Sequence, residues 1–328
     1  MRAHDFIYNE KKLSEFGMII ASFDGSKGLE TIDGAEITFN TVSSLGGSKY
    51  HLVSTQYEDC LTATIQIAKY SCDTDIQEIS PHEYRELTKW LSRKGFYKFK
   101  ILDEYNIDLY HEAAFTNISR IEIDGKLYGL ELTIQTNRPF ALKEPKTITI
   151  QTKKLYTWEE YYKNDDGSKG EATGEYVTSY DREFYPDNGV KIYFIDDSGN
   201  NIESKYYYVY KEEKNVASIF DESHEEGHIY PYTEITIDED CKDFSIYNVL
   251  EDRETYFAKC YAGEVITMDY PVIQSSIPPL SSETSIQNDF NWNFFRIANT
   301  YENRRNDLTT SHPCTIKIKY SPIIKVGL

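Results

Sequence analysis

The sequence predicts a mainly β protein: an N-terminal β-sandwich carrying one helix, followed by a second β-sandwich or jelly roll. Three observations predict it. Short runs in which apolar and polar residues alternate recur along the chain, as half-buried strands require. Tyrosine is abundant, at 28 residues, and its ring buries area while its hydroxyl stays wet, which suits strands and interfaces. At 328 residues the chain has room for two cores. The run Tyr128-Gly-Leu-Glu-Leu-Thr-Ile-Gln-Thr-Asn-Arg-Pro-Phe140 marks the seam between them. In it Leu130, Leu132 and Ile134 face one way, Glu131, Thr133 and Gln135 the other, and Pro139 stops ladder pairing. The expected domains are 1–142 and 143–328.

In the first half, strands are expected at Ala35 to Phe39, Leu61 to Tyr70, Phe96 to Leu102, Ile107 to Phe115, Ile118 to Ile123 and Lys126 to Gln135. Asp124-Gly125 between the last two is a hairpin turn, because a tight turn there needs positive φ. The helix has written boundaries. Ser80 is the N-cap, Pro81 takes the first helical position and Glu83 completes a capping box; Tyr84, Leu87 and Leu91 form its apolar stripe and Gly95 ends it. Phe23 to Gly34 and Ser43 to Lys49 are loops by composition, and none of their glycines precedes a phosphate-binding helix.

The second half opens at Thr147 to Tyr156 and meets a polar insert near 159–189, too long for a minimal turn. Strands follow at Val190 to Ile195, Tyr206 to Tyr210, Thr233 to Ile237, Phe244 to Leu250, Tyr256 to Tyr261, Glu264 to Met268 and Thr315 to Tyr320, with a turn at Asp197 to Asn200 and no helix.

Composition excludes several classes. No stretch approaches the roughly 18 apolar residues of a membrane span, and the first residues lack the apolar core of a secretory signal, so synthesis in a cytoplasm is expected. Cys60, Cys72, Cys241, Cys260 and Cys314 are odd in number and lack zinc-ligand spacing, so they are read as buried reduced thiols. The net charge of -19 argues against wrapping nucleic acid, and the 14% aromatic content argues against disorder.

Candidate chemistry reduces to bland readings. His224-Glu-Glu-Gly-His228 matches the zinc-protease pattern, but Gly227 inside and Pro231 just beyond it favour a solvated turn over the helix that chemistry needs. Asp196-Asp-Ser-Gly-Asn-Asn201 reads as a turn and Asp238-Glu-Asp240 as acidic surface, since neither has calcium-loop spacing. There is no nucleophile elbow and no Ser-His-Asp set, and the sequon at Asn117 is not modified in a cytoplasm. No catalytic, cofactor-binding or metal residues are expected, no cofactor, and no enzyme activity.

Particular residues carry a resemblance. Asp5-Phe-Ile-Tyr-Asn9 before Leu13-Ser-Glu-Phe-Gly17, the capped helix ending Leu87-Thr-Lys-Trp-Leu91, Tyr110-His-Glu-Ala-Ala114 and the run from Leu130 to Phe140 stand in the order found in the N-terminal domain of bacteriophage distal tail (Dit) proteins, the Sipho_tail family. Gly263-Glu-Val-Ile-Thr-Met-Asp269, Asn288-Asp-Phe-Asn-Trp-Asn-Phe-Phe295 and Thr315 to Tyr320 resemble that family's galectin-like C-terminal domain, from which the insert near 159–189 departs.

The resemblance implies a structural baseplate or tail-tip hub: a homohexameric ring of N-terminal domains with C-terminal domains projecting outward. Its implied partners are the tail tube protein, the tail hub or tail-associated protein, and receptor-binding or fibre proteins. DNA would pass through its channel without specific binding, and no membrane insertion is expected. The implied location is the virion tail tip of a siphophage or a tail-like particle. The acidity would either line the channel and repel DNA or sit outside for solubility. The alternative is a carbohydrate-binding module contacting the host surface, using exposed aromatics such as Trp158, Tyr161 and Tyr162; Trp292 suits a core position at least as well as a sugar contact.

Overall fold

The computed structural model describes residues 4–23, 37–43, 50–57, 60–70, 78–103, 108–166, 168–180, 193–195, 201–203, 206–278 and 285–326. Cys72, the turn at 197–200 and nearly all of the two composition-defined loops lie outside these residues. The chain divides into two compact units. The first takes in Met1–Pro145 with Ser223–Glu225 and Ser321–Leu328, the second Lys146–Glu222 with Glu226–Tyr320.

The first unit holds β1 (Phe6–Tyr8), β2 (Lys11–Lys12), a 3-10 turn at Leu13–Phe16, β3 (Met18–Ile20), β4 (Ile37–Ser43), β5 (Tyr50–Tyr57) and β6 (Thr62–Lys69). Helix α1 (Pro81–Leu91) follows, then β7 (Tyr97–Ile101), β8 (Leu109–Ile123), β9 (Lys126–Thr136) and β10 (Ala141–Lys143). The main sheet runs β2-β1-β7-β8-β9-β6-β3, and β10 pairs with β8. β8 and β9 close over Asp124 (φ 50) and Gly125 (φ 75), the doubly left-handed turn that an Asp-Gly hairpin calls for. The two runs expected at Ile107 to Phe115 and Ile118 to Ile123 form one strand, because a register shift between Phe115 and Asn117 lets pairing continue past the break in alternation. Alternation sends Ala63, Ile65 and Ile67 from β6 and Leu130, Leu132 and Ile134 from β9 into one core, which α1 joins through Leu87, Trp90 and Leu91.

Helix α1 begins as its sequence dictates. The Ser80 hydroxyl accepts from the Glu83 N–H at 3.3 Å, and the Glu83 carboxylate accepts from the Ser80 N–H at 2.8 Å. The helix ends at Leu91 with Ser92 as cap, before Gly95 takes φ 132 in the turn beyond. Burial pushes the Glu83 carboxyl upward, but Lys69, 2.8 Å away, and the Ser80 N–H and hydroxyl outweigh it and hold it below its ordinary 4.5. A carboxylate depressed in the folded state stabilises fully above the unfolded value and loses that contribution as pH falls through the folded one. Ser80→Ala is therefore expected to cost about 1 kcal/mol of helix stability at neutral pH. The difference between wild type and Glu83→Gln, read as hydrogen-exchange protection of α1, should narrow as pH drops below 4.5.

The second unit is a two-layer sandwich. Its strands are β11 (Lys146–Gln151), β12 (Lys153–Lys163), β13 (Lys169–Tyr180), β14 (Tyr193–Ile195), β15 (Asn201–Glu203), β16 (Tyr206–Phe220), β17 (Gly227–Ile229) and β18 (Tyr232–Ile237). They continue with β19 (Cys241–Asn248), β20 (Arg253–Cys260), β21 (Val265–Asp269), β22 (Val272–Ser275), β23 (Ile297–Asn299), β24 (Arg305–Thr310) and β25 (Cys314–Tyr320). One sheet is ordered β11-β25-β18-β21-β22, the other β13-β12-β16-β24-β19-β20. Ile235, Ile266, Ile316 and Ile318 from the first meet Ile246, Phe257 and Leu308 from the second in a shared core.

Part of the polar insert is strand rather than loop. β12 runs on to Lys163, β13 pairs back along it and β16 supports the other side. Tyr156, Trp158 and Tyr208 form a small separate core there, with Val177 against it. A short helix, Ile286–Asp289, also stands where none was expected. The last strand, β26 (Ile323–Ile324), belongs to the first unit, where it pairs with β10.

Candidate assembly surface

The most exposed large apolar residues of the first unit gather on one element. β4 and β5 form a two-stranded hairpin that pairs with no other strand among the described residues. It displays Phe39 at 61%, Val42 and Leu52 at 58% and Val53 at 65% exposure, with Ile37 beside them. A lone hairpin is marginal in water, and an apolar, open-edged one is a template for another chain. A register shift between Asn40 and Thr41 interrupts its ladder.

Its base is fixed. The Tyr57 ring meets Phe140 edge-on at 4.8 Å, and its hydroxyl donates to Glu225 at 2.8 Å. Lys325 binds the same carboxylate oxygen at 2.8 Å and lies over Phe140 at 5.8 Å. Burial, and then Glu225, push the Tyr57 hydroxyl up from its ordinary 10.0, while Glu225 raises Lys325. The hairpin thus leaves a rooted strand end and carries its apolar residues outward.

Sequence reasoning missed β5. Tyr50-His-Leu-Val-Ser-Thr-Gln-Tyr57 lacks alternation because both faces of the hairpin are exposed, so no face selects a period. Its β-branched and aromatic content was the remaining signal.

The motifs singled out earlier fall in separate places. His224 lies in a bend and His228 in β17, so the helix that the zinc-protease pattern needs is not formed. Burial, and next Arg296, lower the His228 imidazole below its ordinary 6.5. Glu239 contacts His312 at 3.1 Å, and Asp240 accepts from the Ala262 N–H at 2.8 Å. Among the described residues no group of three or more His, Cys, Asp or Glu is placed to hold a metal ion. Cys241, Cys260 and Cys314 are buried free thiols, and burial raises Cys314 to about 12, far from reactivity. Trp158 is not the exposed ring expected of it. Trp158 is 1% exposed, enclosed by the strands of the insert, whereas Trp292 is 57% exposed on a turn; Tyr162 is exposed as expected. No described helix is long and apolar enough to cross a membrane.

Comparison with known proteins gives a consistent result. Residues 1–138 match a family model described as a phage tail protein N-terminal domain, and residues 199–320 match the same family's phage tail C-terminal domain. No curated protein matches. Among solved structures, the chain is similar to the Dit protein of phage SPP1, described as a paradigm of the hub adsorption apparatus in phages infecting Gram-positive bacteria. That likeness has a TM-score of 0.55 at 7% identity and covers 97% of this chain and 98% of the other, so it speaks for the fold. With both family models matched in order over most of its length, the chain belongs to this family of phage tail proteins and has the fold of a distal tail protein.

Proposed function

We propose that the protein is a hub of the tail tip that assembles as a hexameric ring through its first unit. The exposed apolar hairpin β4–β5 carries this reading. Laid on a neighbouring copy, it would bury its apolar residues and open edges at once. Hairpin and receiving surface differ, so the contact is heterologous and closes into a ring when the rotation per copy divides a full turn. The number six follows from the resemblance to distal tail proteins. The tail tube protein, the tail hub protein and receptor-binding or fibre proteins are the proposed neighbours, and the second unit, 146–320 in the main, is proposed to face outward. The charge of -19 suits a particle through which DNA passes without sticking.

Native mass measurement tests this. Wild type should appear as a sixfold assembly, and the double variant Phe39→Asp, Val53→Asp as a monomer. Both side chains are exposed in the single chain, so the variant should fold; at a junction each carboxylate would be buried unpaired, at a cost of several kcal/mol. A wild type that stays monomeric at high concentration, or a variant that keeps its ring, would sink the proposal.

A further inference from the structure

Two of the buried thiols face each other across a ladder. Cys241 opens β19 and Cys260 closes β20, and the two are directly paired residues of this antiparallel hairpin, at the end away from its turn. Paired Cα atoms in such a ladder stand about 4.5–5.5 Å apart, inside the roughly 4.4–6.8 Å that a disulfide spans. Both side chains turn into the same core, and the Cys241 and Cys260 thiols hydrogen-bond each other. Cys314 belongs to the other sheet, where its ladder partner is Ile237 and its thiol bonds Thr310 and Thr152.

The rung is also placed to open. β20 is the edge strand of its sheet, and Phe290 bridges it at Phe257, short of Cys260. Lys242 and Lys259 stand opposite each other on the neighbouring rung, a like-charge pair that weakens the ladder. Asp243 then takes φ 56, and pairing resumes only at Phe244 and Phe257. The last two rungs are thus set off from the rest of the hairpin by a break in pairing. Burial raises both thiols above their ordinary 9.0, so their chemistry waits on this local opening, and in the opened rung the two lysines favour the thiolate.

We propose that Cys241 and Cys260 form a dithiol that a low-molecular-weight disulfide outside the cell converts into a cystine, clamping the free edge of the second sheet. One thiol loses its proton and attacks a sulfur of the small disulfide, whose S–S bond breaks and releases one thiolate. The second thiol loses its proton and attacks the mixed disulfide, releasing the other thiolate. Two protein thiols and one small disulfide thereby become one protein disulfide and two small thiols, which take up the two protons. A phage tail ends outside the cell, where disulfides persist, so the reduced hairpin suits synthesis and the oxidised one the finished particle. The step stands whether or not a ring forms.

The full chain, purified with reductant and then freed of it, is incubated folded with oxidised glutathione. Remaining thiols are alkylated, and the unreduced digest is mapped by mass spectrometry. A peptide pair joined through Cys241 and Cys260 should be the main product in wild type and in Cys314→Ala, and should be absent from Cys260→Ala. Hydrogen exchange in β19 and β20 should slow tenfold or more in the oxidised chain, and added reductant should reverse the change. The proposal is overturned if Cys241 and Cys260 stay free or end singly capped by glutathione, if the link forms only in denaturant, or if the main product joins either one to another cysteine. A cross-linked hairpin that exchanges as fast as the reduced one would show that no clamp is set.

Discussion

Trp90→Ala is expected to destabilise the first unit by about 3–5 kcal/mol, the range for emptying a buried aromatic site. Trp90 is 3% exposed and serves as the keystone of the helix face. It stacks on Phe16 at 4.4 Å and 13°, lies parallel to Phe6 at 5.8 Å and meets Tyr8 edge-on at 6.2 Å. Its indole N–H donates to the Tyr8 carbonyl at 3.0 Å. One side chain therefore ties α1 to β1 and to the 3-10 turn, and alanine removes packing and hydrogen bond together. Trp90→Phe restores most of the volume and should recover more than half of the loss. Because a chain of two units need not unfold in one step, the measurement is hydrogen exchange resolved by segment. Protection should fall in β1, α1 and β7 while that of the second unit holds; an unchanged first unit would refute the keystone role.

Asn306→Leu should have a comparable effect on the second unit through a different cause. Asn306 is fully buried in β24, and its carboxamide oxygen accepts from the Ala298 N–H and from the Asn248 side chain, each at 2.8 Å. Its amide donates back to the Ala298 carbonyl at 2.9 Å. Leucine matches its size but leaves three buried polar groups without these partners, each worth about 1–3 kcal/mol, so a total near 4 kcal/mol is expected. Since β17 pairs only with β23 among the described strands, their amides should lose protection first. If β17 and β23 stayed protected in Asn306→Leu, the network would not be what holds them.

Much of the fold was legible where the determinants are local. Ser80, Pro81 and Glu83 start α1 because a cap bonds residues three apart, and Asp124-Gly125 turns the β8–β9 hairpin because its dihedrals belong to those two residues. Strands with one buried face, such as β6, β9, β18 and β25, declared themselves through alternation. Elements without a single buried face did not. β5 is exposed on both sides, and β13, inside the polar insert, is defined by its pairing with β12, which together with β16 buries Trp158 and Tyr208. The family likeness was visible in the order of short motifs, whereas the hairpin as candidate surface required exposure values that no motif encodes.

The amino-acid sequence by itself determined the mainly β character, the capped helix, the Asp-Gly hairpin and the membership suggested by its landmarks, because each depends on neighbours a few residues apart. Tertiary structure alone decided which tryptophan is buried and which is offered to solvent, and that β26 returns to pair with β10 in the first unit. Trp158 and Trp292 stand in equally aromatic, polar surroundings along the chain. What separates them is long-range strand pairing, which covers one ring, and a left-handed turn, which lifts the other into water.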